Sequence, residues 1–279
     1  MLAALWGASF LFMRIATPEF GPVALIELRT LVAALVLLPI LFVSRKGHYL
    51  VPNAARLLIV GITGTAIPFT LLSYATLYVT AGYASILNAT TPIFSALITW
   101  LWIREQLSVS AVVGLLVGFL GVTVLSFDKQ SVTAEVSWLP VLAAVMATLC
   151  YGFSANFTRQ KMHHIHPLAL ACGSQIAASL TLLPLAIWFW PESSPNFTAW
   201  GSSIVLGVLC TGLAFILYFR LIANVGVSRT VVVTYLIPFF GVIWGMLFLH
   251  EAVSLLMILG AALILGGVSM TTGIFQRRV

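Results

Sequence analysis

The sequence predicts an all-α integral membrane protein whose ten transmembrane helices form two inverted five-helix repeats around a central cavity. Three observations carry this prediction. Hydrophobic residues make up 61% of the 279 residues and charged residues only 7%, whereas a soluble domain carries about 25% charged residues. The apolar residues run continuously over segments close to the ~20 residues that cross a bilayer. The order of prolines, glycines and acids in the first half of the chain recurs in the second half.

Ten apolar segments of suitable length follow one another along the chain. They are Met1–Ala16, Val23–Ser44, Ala54–Tyr74, Tyr83–Ile103, Val109–Phe127, Trp138–Arg159, Leu168–Trp190, Trp200–Ile222, Ser228–His250 and Leu255–Phe275. Such long runs favour helices over a β-barrel, whose strands alternate in short segments. The first segment could instead be a cleaved signal peptide, but no basic region precedes it and Arg14 interrupts it.

Basic residues are distributed unequally between the two sides of the membrane that ten spans create. With the N-terminus inside, ten of the 13 Lys and Arg residues fall on the cytoplasmic side: Arg45, Lys46, Arg56, Arg104, Arg159, Lys161, Arg220, Arg229, Arg277 and Arg278. Only Arg14, Arg29 and Lys129 remain at or near the outer side. This bias follows the positive-inside rule and predicts a multi-pass protein of the cell inner (plasma) membrane with both termini cytoplasmic.

Residues 1–130 and 131–279 are predicted to be two copies of one five-helix unit. Displacements of 145 or 146 residues match the pairs Arg14–Arg159, Gly61–Gly207, Thr65–Thr211, Pro92–Pro238, Glu105–Glu251 and Gly114–Gly260. Because five is an odd number, the second unit must enter the membrane the opposite way up. Inverted repeats of this kind are typical of secondary transporters, which bind their substrates between the repeats near the bilayer midplane.

Three stretches resemble a known family: Leu5 to Phe10 (LWGASF), Leu28-Arg29, and Asn88 through Pro92 to Glu105. They resemble the EamA family of the drug/metabolite transporter (DMT) superfamily, and both halves look like EamA units. The resemblance implies ten helices, with helices one, three, four, six, eight and nine lining a central cavity. It also implies export of amino acids, metabolites or drugs.

The predicted function is therefore a secondary transporter that exports small organic solutes (amino acids, metabolites or drug-like compounds) by alternating access between the repeats. The alternative is a solute channel or facilitator without alternating access. An enzyme is not expected, because nearly all of the seven acids lie at helix ends and catalysis needs converging groups at one depth. Besides the substrate and the lipid bilayer, the sequence predicts no cofactor, no metal site and no nucleic-acid partner.

Polar and aromatic side chains within the spans are the candidates for substrate binding, since polar groups at membrane depth usually face a cavity or another helix. The candidates are Trp6, Ser9, Tyr74, Asn88, Thr91, Tyr151, Asn156, Tyr218, Thr234 and Tyr235. The competing interpretation is that Ser and Thr hydroxyls bond their own helix backbone and that Tyr anchors at an interface.

A gating or structural role is predicted for Arg29, Pro92, Glu105, Pro238 and Glu251. Pro92 removes a backbone donor and frees the carbonyl near Asn88. Each glutamate lies three residues before a serine that opens the next helix, so it is expected to stabilise that helix N-terminus. Arg29 is expected to reach outward to the nearby membrane boundary, although direct binding of an anionic substrate stays open. No acid or histidine is expected near mid-membrane, which argues against proton coupling.

Glycines recur on the fifth and tenth spans, at Gly114, Gly118 and Gly121 and at Gly260, Gly266 and Gly267. Small residues let two helices approach closely in a membrane. These spans are expected to pack against each other, or against a second copy in a homodimer.

Overall fold

The computed structural model describes residues 1–131, 138–226, 230 and 232–272. This part of the chain contains nine long helices and no β-strand. They are α1 (Leu2–Val43), α2 (Gly47–Ala75), α3 (Ala81–Trp102), α4 (Val109–Ser126), α5 (Leu139–Lys161), α6 (Pro167–Trp188), α7 (Phe197–Ile222), α8 (Val233–Leu249) and α9 (Leu255–Thr272). All except the shorter α8 are long and apolar enough to cross a bilayer, judged by length and composition. The predicted all-helical membrane class is confirmed.

Helix α1 covers the first two predicted spans, and α2 to α9 correspond in order to the third to tenth. At 1.5 Å per residue, its 42 residues would extend about 63 Å, twice the thickness of the hydrocarbon core. Gly21 breaks it with a left-handed φ of 73°, between Pro18 and Pro22. Pro22 lacks an amide proton, so it suits the start of the second arm.

Parts of three predictions lie outside the described residues. These are the start of the ninth span at Ser228, the end of the tenth at Phe275, and the cytoplasmic placement of Arg229, Arg277 and Arg278.

Two irregularities occur at matching positions of both halves. A π-helical turn spans Ile62–Ala66 in α2, and another spans Val208–Leu213 in α7, 146 residues later. Arg104 and His250, also 146 residues apart, both have a left-handed φ, of 57° and 53°. The proline helices differ: α3 turns at residues 89–90 ahead of Pro92, whereas Pro238 lies inside continuous helix.

The two halves interleave rather than lie side by side. Helix α1 packs against α6, α7 and α8 of the second half. One of these contacts is a hydrogen bond of 3.0 Å from Trp244 Nε1 to the carbonyl of Ala4. This interleaving surrounds a central cavity with helices from both halves.

Helices α4 and α9 pack against each other through their glycine faces. A methyl group on Gly267 would lie 2.5 Å from both the Gly114 carbonyl oxygen and the Gly118 nitrogen, so the backbones are nearly in contact. All of the predicted glycines except Gly266 are thus packed within one chain. The homodimer stays a prediction, and it would need the lipid-facing sides of these helices.

We predict that Gly267→Ala destabilises the protein by about 1–3 kcal/mol, because the added methyl group overpacks two backbones that cannot move independently. Gly266→Ala is the matched control on the same helix, since its methyl group would meet nothing within 4 Å. Thermal unfolding in detergent measures both. Equal melting temperatures for the two variants would contradict the close approach of α4 and α9.

Candidate functional site

A cavity of about 490 Å³ lies between the two halves of the chain. Seven of the ten predicted binding residues line it: Trp6, Asn88, Thr91, Tyr151, Tyr218, Thr234 and Tyr235. A deeper extension of about 200 Å³ shares Trp6, Asn88 and Tyr151 with it and adds Ser9 and Arg29. We call this part the inner extension. The resemblance implied a lining from predicted spans one, three, four, six, eight and nine, and all six contribute. The tenth predicted span, which is α9 in the structure, adds Leu265 and Val268.

Aromatic rings form much of the cavity wall. The rings of Trp6 and Tyr218 lie 5.3 Å apart, and Tyr151 meets Phe69 edge to face at 6.1 Å. Such pairs hold each other's orientation. The hydroxyls of Tyr235 and Thr272 share a hydrogen bond of 2.7 Å, which fixes a further ring. The cavity therefore offers rigid flat surfaces to the apolar part of a solute.

The proline in α3 leaves a different polar group unpaired from the one predicted. Pro92 frees the carbonyl of Asn88, but the Thr91 hydroxyl donates to it at 2.8 Å, so that carbonyl has a partner within the chain. The side-chain oxygen of Asn88, in contrast, is buried and has no hydrogen-bond partner among the described residues. An unpaired buried acceptor costs about 1–3 kcal/mol. The side chain of Asn88 is therefore the better candidate for a ligand contact.

Tyr74 and Asn156 lie outside the cavity lining. The ring of Tyr74 packs against that of Tyr78 at 5.3 Å. The Asn156 amide donates to the Ser95 carbonyl at 2.9 Å and accepts from the Thr99 hydroxyl at 2.7 Å. Asn156 thus ties α5 to α3.

Arg29 does not reach the membrane boundary, so that prediction was wrong. Its side chain is only 4% exposed and lines the inner extension. Its Nε donates to the Thr211 hydroxyl at 2.9 Å, and its guanidinium lies 3.7 Å from the centre of the Phe69 ring. Thr211 lies in the π-helical turn of α7. Its hydroxyl donates to the carbonyl of Leu206, five residues earlier, and accepts from Arg29 through an oxygen lone pair.

Sequence reasoning missed Glu27, which is 3% exposed inside the second arm of α1. One carboxylate oxygen accepts from the Ser179 hydroxyl at 2.7 Å, and the other has no partner among the described residues. Glu27 lies outside the cavity lining, and it points away from Arg29 because residues two apart do not share a helix face. Two charges within one apolar span were the available signal.

Arg14 and Glu251 close one end of the cavity. The inner extension ends at Met13 and Leu72, which are 1% and 2% exposed. Beyond them, Arg14 donates to the carbonyls at the end of α2, with the Leu77 oxygen at 2.8 Å. Glu251 accepts from the first amides of α3, those of residues 81 and 82, at 2.9 and 3.4 Å. The carboxylate therefore joins the second half of the chain to the first.

Glu251 accepts hydrogen bonds from amides at a helix start, as predicted, but the helix is α3 and not the following helix, α9. The helix that follows is capped by Ser254, which accepts from the amide of Met257 at 2.9 Å. The left-handed turn at His250 directs the chain so that Glu251 reaches α3 instead. Burial raises the pKa of the Glu251 carboxyl, while its hydrogen bonds to the two amides and the charge of Arg14 oppose that rise.

The same residue types are engaged differently at the opposite end. Glu105 and Arg159, which match Glu251 and Arg14 in the repeat, form an ion pair of 3.5 Å with side chains 56% and 63% exposed. Nearby in the lining, Ala155 is exposed. The cavity is thus closed at the Glu251 end and open at the Glu105 end.

Comparison with known proteins assigns a family. The model of the EamA-like transporter family matches residues 1–127 and 138–273, which confirms the resemblance seen in the sequence. The transporter YoaV of Bacillus subtilis is 27% identical, over 98% of this chain and 95% of its own. A probable terminal-alkyne amino-acid exporter of Streptantibioticus cattleyicolor is 28% identical, over 95% and 89%. A solved crystal structure with 20% identity covers 98% of this chain and 96% of its own with a TM-score of 0.65, which shows a shared fold.

We predict that Glu251→Ala lowers the free energy of unfolding by about 1–3 kcal/mol, because it leaves the buried amides of Ala81 and Gly82 without acceptors. The repeat-equivalent Glu105→Ala is the control. It removes only an exposed ion pair, worth about 0–1 kcal/mol. Chemical or thermal denaturation in detergent compares the two. A larger loss in Glu105→Ala would contradict the assignment of the closed end.

Proposed function

Because the chain belongs to the EamA-like transporter family, it is a membrane transporter, and we propose that it exports small organic solutes by alternating access between two inverted repeats. The observation that carries this proposal is a central cavity closed at one end by Arg14 and Glu251, while the matching Arg159 and Glu105 lie exposed at the other.

The ten-helix inverted architecture follows if α1 crosses the membrane twice, with its turn at Gly21, and if α8 also crosses. Each half then has five spans, and the second half is inverted. The paired π-helical turns and the paired left-handed residues support two copies of one unit. Chance does not readily place such rare features at one displacement.

Alternating access would exchange the roles of the two ends. The residues that match Thr76 and Leu77, whose carbonyls bind Arg14, are Ile222 and Ala223. In the opposite state Arg159 would bind the carbonyls of those two residues, and the outer contacts of Arg14 would be released. Because the ends carry equivalent residues, each state could form the same kind of closing contact, as a carrier requires.

The proposed topology and the name of one relative support export as the direction of transport. We place the protein in the cell inner membrane with both termini in the cytoplasm. In this orientation the open Glu105 end faces the cytoplasm, so the described state would be inward-open. That state loads solutes from the cell, as export requires. The name of the Streptantibioticus relative, an amino-acid exporter, favours the same direction. The cavity volume lies within the range of about 300–1,000 Å³ usual for small-molecule sites.

Counterflow in proteoliposomes distinguishes this carrier from a channel. We predict saturable uptake of labelled solutes, chosen from amino acids and aromatic compounds, that is accelerated by unlabelled solute inside. Ala155→Trp should abolish it, because the indole would fill the open part of the cavity. Leu116→Trp on α4 is the matched control and should leave uptake unchanged, because the Leu116 side chain is 67% exposed and lies outside the cavity lining. Uptake that does not saturate and shows no counterflow would instead favour the channel.

A further inference from the structure

We propose that Arg29 binds a carboxylate of the transported solute, so that the cavity selects carboxylate-bearing compounds over amines of the same shape. This inference rests on the proposed function, because it assumes that the cavity holds the cargo. It replaces the gating or structural role that the sequence favoured for this residue.

The charge of Arg29 has no counterion in the described part of the chain. A guanidinium stays protonated in proteins, and a buried charge is costly unless it is paired. The one ion pair among the described residues joins Arg159 to Glu105. Glu27, the acid nearest in sequence, is instead turned toward Ser179. An anionic ligand would supply the missing partner.

The guanidinium is held in a fixed position. Thr211 accepts from Nε, the Met13 sulfur lies 3.8 Å from Nη1, and Phe69 covers one face of the group. A guanidinium has five N–H donors in a planar fork that suits the two oxygens of a carboxylate. These contacts therefore position the fork at the inner extension and leave donors for a ligand.

The repeat shows that the fold does not require a cation at this place. The position that matches Arg29 in the second half is Ser174, whose hydroxyl donates to the carbonyl of Ala171 within its own helix. Two halves of one architecture thus carry an arginine and a self-satisfied serine. Arg29 is a feature of one side of the cavity rather than of the scaffold.

Two further groups at the inner extension lack partners. The Asn88 side-chain oxygen and the Ser9 hydroxyl oxygen are buried, and neither accepts a hydrogen bond from the described residues. Both oxygens can accept from an ammonium or hydroxyl group of a solute. With Trp6 and Tyr151 beside them, the site fits a small zwitterion: carboxylate on Arg29, ammonium near Asn88, and an apolar body on the rings.

Four probes with one aromatic body test this assignment: L-phenylalanine, 3-phenylpropionate, L-phenylalaninamide and phenethylamine. Calorimetry on the purified full chain should show that the two carboxylates bind at least about tenfold more tightly than the two amines, the ratio for one charge-assisted hydrogen bond. Arg29→Gln should remove this ratio, and Arg29→Lys should keep part of it. Arg56→Gln, the same change at an exposed arginine, should leave it intact.

Equal binding of carboxylates and amines by the wild-type protein, absence of binding by all four, or an unchanged ratio in Arg29→Gln would overturn the proposal. If Arg29→Gln does not fold, the wild-type ratio and Arg29→Lys decide. Parallel counterflow separates this inference from the proposed function. Carboxylate binding through Arg29 without counterflow would contradict the carrier alone, whereas counterflow of amines that Arg29→Gln does not change would contradict only the carboxylate site.

Discussion

The carboxylate of Glu251 binds the first two amides of α3, and the shape of the cavity depends on this contact. Amides at the start of a helix have no partner within the helix, so another part of the molecule must supply one. Here the partner comes from the second half of the chain, 170 residues away. Closure of this end is therefore a property of how the halves meet. Arg14 completes it at the end of α2, and the inner extension stops where these contacts begin.

In a bilayer, each polar group must find its partner inside the protein or in a cavity. Many polar side chains of this protein find their partners within the chain, as Asn156 does by joining α5 to α3. Three groups at the inner extension do not: the Ser9 and Asn88 oxygens are unpaired, and Arg29 has no counterion among the described residues. Unpaired groups on Glu27 and Gln175 lie outside the lining, so lack of a partner alone does not identify the site. Location in the cavity and a fixed orientation distinguish Arg29.

Composition was enough to predict the membrane class, because the hydrophobic effect acts through local sequence. The family and most of the cavity wall were predicted from the resemblance of three sequence stretches to EamA proteins. What composition and resemblance could not predict depends on contacts between distant segments. Arg29 contacts Thr211 in α7, and Glu27 contacts Ser179 in α6. The sequence around Arg29 and Glu27 does not indicate which helices pack against them, so neither contact could be predicted. The partner of Glu251 could be predicted only from which helix lies beside it in the fold. The serine three residues later suggested the start of the next helix, α9, instead of α3. The sequence also predicted a free backbone carbonyl at Asn88, but the Thr91 hydroxyl donates a hydrogen bond to it.

The central claim is that the two ends of the cavity open alternately. It is tested most directly by thiol labelling at both ends of the cavity. Val79→Cys probes the closed end, because Val79 is buried between Leu77, whose carbonyl binds Arg14, and Ala81, whose amide binds Glu251. Thr158→Cys probes the open end, because Thr158 lines the cavity one residue before Arg159. Both are placed in nanodiscs, in a background without Cys150, Cys172 and Cys210, with and without Glu251→Ala. Thr158→Cys should react quickly and Val79→Cys slowly. Glu251→Ala should make Val79→Cys react faster and Thr158→Cys more slowly, since opening one end closes the other. If Glu251→Ala raised the labelling rate of Val79→Cys without lowering that of Thr158→Cys, the result would contradict alternating access and indicate a continuous path through the protein.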